Sequence, residues 1–343
     1  MRNWRVSAQP VFVVNPESPS CHAATLVETG RGLLAAWFAG SHEGHPDVAI
    51  WMARRDDKTA AWSKPSKIAD VPGVALWNPV LFKDLSGTIW LFYKIGPSVP
   101  AWTGAYIQSR DEGQTWSEPA LLPAGLLGPI KNKPIQLING DILCGSSVET
   151  WNSWACWVEI SRDQGKSWRK YGPIIAPDEG QTLRAADSLV SATWNAQSGV
   201  LQLPQSFPGV IQPAVWEYAP GRLRMVMRST KVVGRVCLSE SPDGGESWSP
   251  ARKLPVPNSN SGLDAARLAD GRIAMVCNPV EEGRTPLSLL VSEDNGESWS
   301  FCLHLETQPG EYSYPAIIQA GDRSLHIAAT YQRRSIYHYH VTW

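Results

Sequence analysis

One eight-residue pattern recurs four times and limits what this chain can become. Ser109-Arg-Asp111-Glu-Gly113-Gln-Thr115-Trp116 is repeated as Ser161-Arg-Asp163-Gln-Gly165-Lys-Ser167-Trp168, as Ser241-Pro-Asp243-Gly-Gly245-Glu-Ser247-Trp248 and as Ser292-Glu-Asp294-Asn-Gly296-Glu-Ser298-Trp299, giving the consensus S-x-D-x-G-x-S/T-W. Each copy has the chemistry of a tight hairpin: Asp and Ser bond the turn's own backbone, Gly supplies a left-handed position, and Trp packs beneath. A decayed fifth copy, Arg55 to Trp62, keeps the Asp57 and Trp62 positions. The tryptophans follow one another at intervals of 54, 52, 80 and 51 residues (Trp62, Trp116, Trp168, Trp248, Trp299), so one unit carries an insertion. The four full copies account for only four of the 17 tryptophans; the others call for a further structural or sugar-stacking explanation.

Before each copy lie short runs of β-branched and aromatic residues, such as Trp77-Asn-Pro-Val-Leu-Phe and Thr88-Ile-Trp-Leu-Phe-Tyr. A unit of about 50 residues with four strands is a propeller blade. Innermost strands are predicted at 22–28, 77–83, 131–138, 211–218, 262–268 and 314–319, which makes six blades in one all-β domain spanning residues 1–343. The last blade runs out of chain after three strands. The strand predicted at Pro10-Val-Phe-Val-Val-Asn completes it and closes the ring, because an open ring would leave two unpaired sheet edges. The insertion falls in blade four, at about 173–208.

Composition narrows the function classes. Lys plus Arg of 31 against Asp plus Glu of 32 leaves a net charge of −1 without a block of like charges, which argues against nucleic acid or anionic membrane as partner. No run reaches the ~18 apolar residues of a membrane helix, and the N-terminus lacks a signal-peptide pattern, so a cytoplasmic location is expected. The six cysteines (21, 144, 156, 237, 277, 302) are scattered singly, as expected of small buried hydrophobes; neither a metal nor an organic cofactor is implied.

The predicted inner strands begin on polar residues where apolar ones would be ordinary. In a propeller those strand starts converge on one face, so His22, Asn78, Lys131, Gln212, Asp264 and Tyr314 can line one pocket although they are far apart in sequence. For Tyr314 the alternative is a core tyrosine at a strand start, and for His22 a satisfied structural histidine. The loop Gly40-Ser-His-Glu-Gly-His-Pro-Asp-Val puts His42, Glu43, His45 and Asp47 between apolar strands, and a merely solvated turn would rarely need two imidazoles. Lys94, Lys133 and Glu149 sit at or near strand ends and read singly as exposed residues. Arg333 and Arg334 read as solvated or paired on the surface.

The four boxes, the six-blade count and the run Cys21-His-Ala-Ala-Thr-Leu-Val resemble the sialidase (neuraminidase) superfamily, in particular its BNR-repeat, Asp-box members. The resemblance covers nearly the whole chain. It implies three arginines around a substrate carboxylate, a tyrosine paired with a glutamate as nucleophile, and an aspartate on a blade-one loop as acid/base. A neutral phenol attacks an anomeric carbon bearing a carboxylate more easily than an anionic side chain does. On that resemblance Tyr314 is the nucleophile, Arg228 the second arginine and Arg284 the third. Two positions depart from the pattern: His22 stands where the first arginine belongs, and Gln212 where the glutamate partner belongs. The acid/base falls to Glu43 or Asp47.

The expectation is therefore an exo-acting, sialidase-like glycoside hydrolase on an acidic sugar at the end of a glycan. Tyr314, Glu43, Asp47 and Gln212 would form its catalytic set, with His22, Arg228, Arg284, Lys131, Asn78 and Asp264 binding substrate. Two rivals stand beside it. One is a lyase in which Tyr314 or His22 abstracts a proton α to a uronate carboxylate; the other is a non-catalytic carbohydrate-binding propeller.

Overall fold

The computed structural model describes residues 4–14, 18–177 and 207–343, together with the backbone of a hairpin formed by Thr193–Asn195 and Val200–Gln202. Six antiparallel four-stranded sheets succeed one another along the chain and form the predicted propeller. Most of the predicted blade-four insertion lies outside the described residues.

Blade one comprises Ser20–Thr29, Gly32–Gly40, Ala49–Asp56 and Ser66–Ala69, and blade two Leu76–Lys83, Ile89–Ile95, Thr103–Ser109 and Ala120–Leu121. Blade three is Ile135–Gln136, Ile142–Glu149, Trp154–Ser161 and Arg169–Ile174; blade four is Val210–Ala219, Arg222–Ser229, Arg235–Ser241 and Arg252–Pro257. Blade five is Asp264–Arg267, Ile273–Cys277, Leu287–Ser292 and Ser300–Glu306. Blade six takes Tyr312–Gln319, Leu325–Tyr331 and Ser335–Thr342 from the end of the chain and Arg5–Pro10 from its start.

The N-terminal strand thus closes the ring as expected, in the register Arg5↔Thr342 to Pro10↔Tyr337, but it lies earlier than the apolar run suggested. Val11 and Phe12 turn inward instead, and the Phe12 ring stacks on Trp37 at 4.8 Å. Only these two of the run's described residues are buried, Val13 and Val14 being exposed, and the pairing falls to the stretch before it.

Every full box joins the third and fourth strands of its blade. In the first, Ser109 Oγ donates to Asp111 at 2.8 Å and accepts the Gly113 N–H at 2.8 Å, Thr115 Oγ1 donates to the same carboxylate at 2.6 Å, and the Trp116 indole donates to the Gly113 carbonyl at 3.1 Å. The glycine is needed twice over. At Gly113 φ is +76° and a Cβ would lie 2.5 Å from Leu34 of blade one; at Gly245 φ is +95° and a Cβ would lie 2.8 Å from Leu143 of blade three. Each turn is pressed onto the preceding blade. In the decayed copy Asp56, rather than the aligned Asp57, accepts the N–H groups of Lys58 and Thr59; with no glycine carbonyl to meet it, the Trp62 indole N–H has no partner among the described residues.

Five of the six cysteines are buried and none is bonded to another, and burial pushes the thiols of Cys21 and Cys277 up to about 12. No helix among the described residues is long and apolar enough to cross a membrane.

Candidate active site

A bulge in the innermost strand builds the site. In blades one, two, four and six the ladder skips between His22 and Thr25, Trp77 and Val80, Ile211 and Ala214, and Ser313 and Ala316. A residue at positive φ stands in each gap: Ala23 at 56°, Asn78 at 39°, Gln212 at 55° and Tyr314 at 52°. A left-handed non-glycine residue costs roughly 1–2 kcal/mol, and such strain is retained where it aims a side chain. In three of the four gaps a proline follows (Pro79, Pro213, Pro315), so no N–H is lost from the ladder at that position.

Tyr314 lies at the centre of the cluster. Its oxygen accepts from Arg228 Nη1 at 2.5 Å and from Gln212 Nε2 at 3.3 Å, while Arg228 Nη1 also donates to Gln212 Oε1 at 3.2 Å and Arg228 Nε to Asn260 Oδ1 at 2.7 Å. The guanidinium carbons of Arg228 and Arg284 stand 5.5 and 5.7 Å from the Tyr314 ring centroid, and Lys131 Nζ stands 5.9 Å from it. Arg228 also stacks on Trp154 at 5.7 Å. Thus Tyr314, Gln212, Arg228 and Arg284, chosen from sequence, do meet.

His22 packs its ring 4.0 Å from that of Tyr314. Its Nδ1 is 2.9 Å from Thr330 Oγ1, and its Nε2 is buried without a partner among the described residues. Burial first, and then the charges of Arg333, Arg284, Arg228 and Lys131, push its pKa well below the ordinary range. The imidazole is neutral and adds no positive charge for a carboxylate.

A third guanidinium comes from a residue that sequence reasoning set aside. Arg333 sits in the turn between Leu325–Tyr331 and Ser335–Thr342, at φ 54°, where it pairs with Glu43 and donates from Nε to Glu311 Oε1 at 2.9 Å. The same Glu311 oxygen accepts from Arg284 Nη1 at 2.6 Å. Burial opposes the Arg333 charge, but the carboxylates of Glu43 and Glu311 outweigh it and raise its pKa. A pair of arginines in a hairpin turn reads as solvated, and no spacing rule reveals that this turn folds back toward blade one.

The blade-one loop divides. Glu43 joins the cluster through Arg333, whereas Asp47 turns back into its own loop, accepting from the backbone N–H and hydroxyl of Ser41 and pairing with His45 at 2.7 Å. Partial burial acts to raise the Asp47 pKa, but the Ser41 and His45 contacts prevail and lower it, which holds the carboxylate ionised. His42 and His45 pack ring to ring at 4.9 Å.

Other expected ligands are struts rather than open contacts. Lys131 donates to the carbonyls of Leu263 and Pro315 and to Asn132 Oδ1, tying blade three to blades five and six. Burial, with Asp264 opposing, pulls its ammonium down to about 7. Asp264, 1% exposed, accepts from Lys133 Nζ, the Ile317 N–H and the Ala265 N–H, all at 2.9 Å, so it is held on both oxygens. This inward turn of Lys131, Asn132 and Lys133 shortens the predicted strand 131–138 to Ile135–Gln136. Lys94 is buried against the Pro129 carbonyl at 2.7 Å. Asn78 alone among these keeps a side-chain amide with no hydrogen bond to the described residues, and its residue is 6% exposed.

A six-bladed ring with Asp-box turns and an arginine-flanked tyrosine at its axis is of the sialidase-like class. The chain belongs to the family described as BNR repeat-like domain, whose match runs over residues 30–327. Among solved structures it is similar to the Hadza microbial sialidase Hz136 (TM-score 0.72, 17% identity, 94% of this chain and 65% of that one). It is similar also to a protein of unknown function from Dyadobacter fermentans (TM-score 0.73, 16% identity, 97% and 98%) and to the NanB sialidase of Streptococcus pneumoniae (TM-score 0.70, 15% identity, 96% and 70%). The chain spans about two thirds of the Hadza sialidase's length, and at these identities the likeness carries the fold alone. No curated protein matches it.

Proposed function

We propose that the chain is an exo-acting, sialidase-like glycoside hydrolase on an acidic sugar, with Tyr314 as nucleophile or base and with Arg228 and Arg284 holding the sugar's carboxylate. One observation carries this reading: both hydrogen-bond partners of the Tyr314 oxygen among the described residues donate to it. Arg228 Nη1 fixes the Gln212 amide with its oxygen toward the guanidinium and its NH2 toward the phenol. Gln212 cannot take the phenolic proton as a glutamate would. Two donors, one of them charged, instead stabilise the negative charge that returns to the oxygen when it leaves the anomeric carbon. Arg228 and Arg284 each keep an Nη2 without a partner among the described residues, and a planar guanidinium suits a carboxylate. Arg333, neutralised by Glu43 and Glu311, braces that wall.

The experiment is turnover of aryl glycosides of sialic, ketodeoxy and uronic acids by the wild type and by Tyr314→Phe. A loss on the order of 10³-fold in kcat/KM is expected, within the range for a lost covalent or acid–base group; a fully active variant removes Tyr314 from the chemistry. A second reading, the lyase, draws on His22: a neutral imidazole beside Tyr314, with one nitrogen that has no partner among the described residues, suits proton abstraction α to a carboxylate. An unsaturated, ultraviolet-absorbing product would favour it. Glycan binding with no turnover over days would instead favour a binding module.

A further inference from the structure

We propose that Glu149, at the end of the blade-three strand Ile142–Glu149, is the carboxyl that exchanges a proton with the glycosidic oxygen, a role that rests on the hydrolase reading above. The other described carboxyls around the axis already have partners. Glu43 and Glu311 are ion-paired with arginine, Asp47 is held by Ser41 and His45, and Asp264 is filled by two N–H groups and Lys133.

Glu149 is tied differently. Among the described residues its one hydrogen bond comes from Ser147 Oγ at 3.0 Å, and no described lysine or arginine forms an ion pair with it. The same Ser147 Oγ accepts the backbone N–H of Gln212 at 3.4 Å, so the serine bridges this carboxyl to the residue that bonds Tyr314. Directly across the strand pair from Glu149 is Trp154, on whose ring Arg228 stacks. The hairpin between them ends at Trp151, an indole 66% exposed, which offers a leaving sugar a surface to stack on. Burial raises the carboxyl's pKa above the ordinary range against the opposing charge of Arg228 and the Ser147 bond, as a group that must carry a proton requires.

The proton account closes. In the first half, the bond from the Tyr314 oxygen to the anomeric carbon forms while the bond to the glycosidic oxygen breaks; the Glu149 proton goes to that oxygen, and the phenolic proton passes to water. In the second half, water attacks the anomeric carbon and gives a proton to the Glu149 carboxylate, while the tyrosyl oxygen leaves and regains its proton from water. The sum is hydrolysis.

The test is Glu149→Gln, assayed on two glycosides of the same acidic sugar, one with a nitrophenol leaving group and one with methanol. Nitrophenolate leaves without help and methoxide does not, so a proton donor matters only for the second. We expect a loss of about 10²–10³-fold on the methyl glycoside and less than about 10-fold on the nitrophenyl one. Equal loss on both, or none on either, overturns the role of Glu149 while hydrolysis by the wild type leaves the hydrolase reading standing. A wild type that hydrolyses neither glycoside ends that reading, and Glu149 falls with it. If the Gln variant does not fold, Glu149→Ser is assayed with and without added formate. Recovery of methyl-glycoside turnover supports the role, and absence of recovery overturns it.

Discussion

Two sets of polar residues hold this propeller, and they differ in how far their bonds reach. At the rim, the box aspartates bond within five residues: Asp243 accepts from Ser241 Oγ at 2.9 Å, from the Ser247 N–H at 2.9 Å and from the Ser247 hydroxyl. At the axis, Asp264 accepts from Ile317, 53 residues on, and from Lys133, 131 residues back. The chemistry is the same, an ionised carboxylate saturated by donors. A rim turn can form before the ring closes, whereas the axial bonds require three blades to be in place. Local satisfaction makes a repeat, and distant satisfaction makes a site.

That contrast is broken or sharpened most strongly by Asp264→Asn. The substitution turns an NH2 group toward donors and leaves Lys133 beside a neutral partner, and breaking a buried pair costs about 3 kcal/mol. The denaturant midpoint should fall with its slope unchanged. A midpoint within ~0.5 kcal/mol of the wild type, as at ordinary surface sites, would show that the axial network does not hold the blades together.

The same difference in reach explains what the sequence made legible. The boxes could be read because each is complete in eight residues, and blade number and ring closure followed from their spacing. The polar starts of the inner strands singled out Gln212 and Tyr314, whose side chains meet, and by the same rule Lys131 and Asp264, which are tied to other blades. Polarity at a strand start does not distinguish a side chain that joins the Tyr314 cluster from one bound to another blade's carbonyl. A sharper signal was present: Asn78-Pro79-Val80, Gln212-Pro213-Ala214 and Tyr314-Pro315-Ala316 share a polar residue before proline, and all three are bulged at positive φ. Lys133-Pro134-Ile135 has the same pattern beside the shortened blade-three strand. Arg333 carried no such mark, because its role depends on the Glu43 loop and Glu311 arriving from other strands.

A second contrast separates the seam of the ring from its rim by pH. On blade six, His326 Nδ1 lies 2.9 Å from His338 Nε2, His326 stacks on His340 at 4.8 Å, and His338 meets Trp62 of blade one edge-on at 5.5 Å. Burial, reinforced by neighbouring imidazoles and Arg55, pulls His326 down to about 4 and His338 to about 2. Between those values and the usual 6.5 the unfolded chain binds more protons than the native one. Stability therefore rises with pH across this window and is lost as pH falls from about 6.5 toward 4, by up to about 1.4 kcal/mol per unit for each group. Denaturation at pH 7 and pH 5 should show the loss, and His338→Gln should reduce it. The box carboxylates Asp163 and Asp294, held at about 2 chiefly by their serine partners, titrate below the window and leave this slope alone.

The smallest expected change is Asp243→Ala, and it tests the rim on its own terms. The aspartate anchors a turn much as a cap anchors a helix end, and losing a cap costs about 1 kcal/mol. Asp243 and Ser247 are exposed, so water can replace the carboxylate there, and the buried Ser241 still accepts the Gly245 N–H at 2.9 Å, so the cost stays local. Gly245 still presses on Leu143 and the Trp248 indole still donates to its carbonyl at 2.9 Å, since neither contact passes through the carboxylate. Affinity for any glycan ligand should match the wild type, because blade four's inner strand is set by the Gln212 bulge and not by this turn. A loss as large as that of Asp264→Asn, or a weakened ligand, would mean that the box holds the blade's position in the ring, and the division between rim and axis would have to be redrawn.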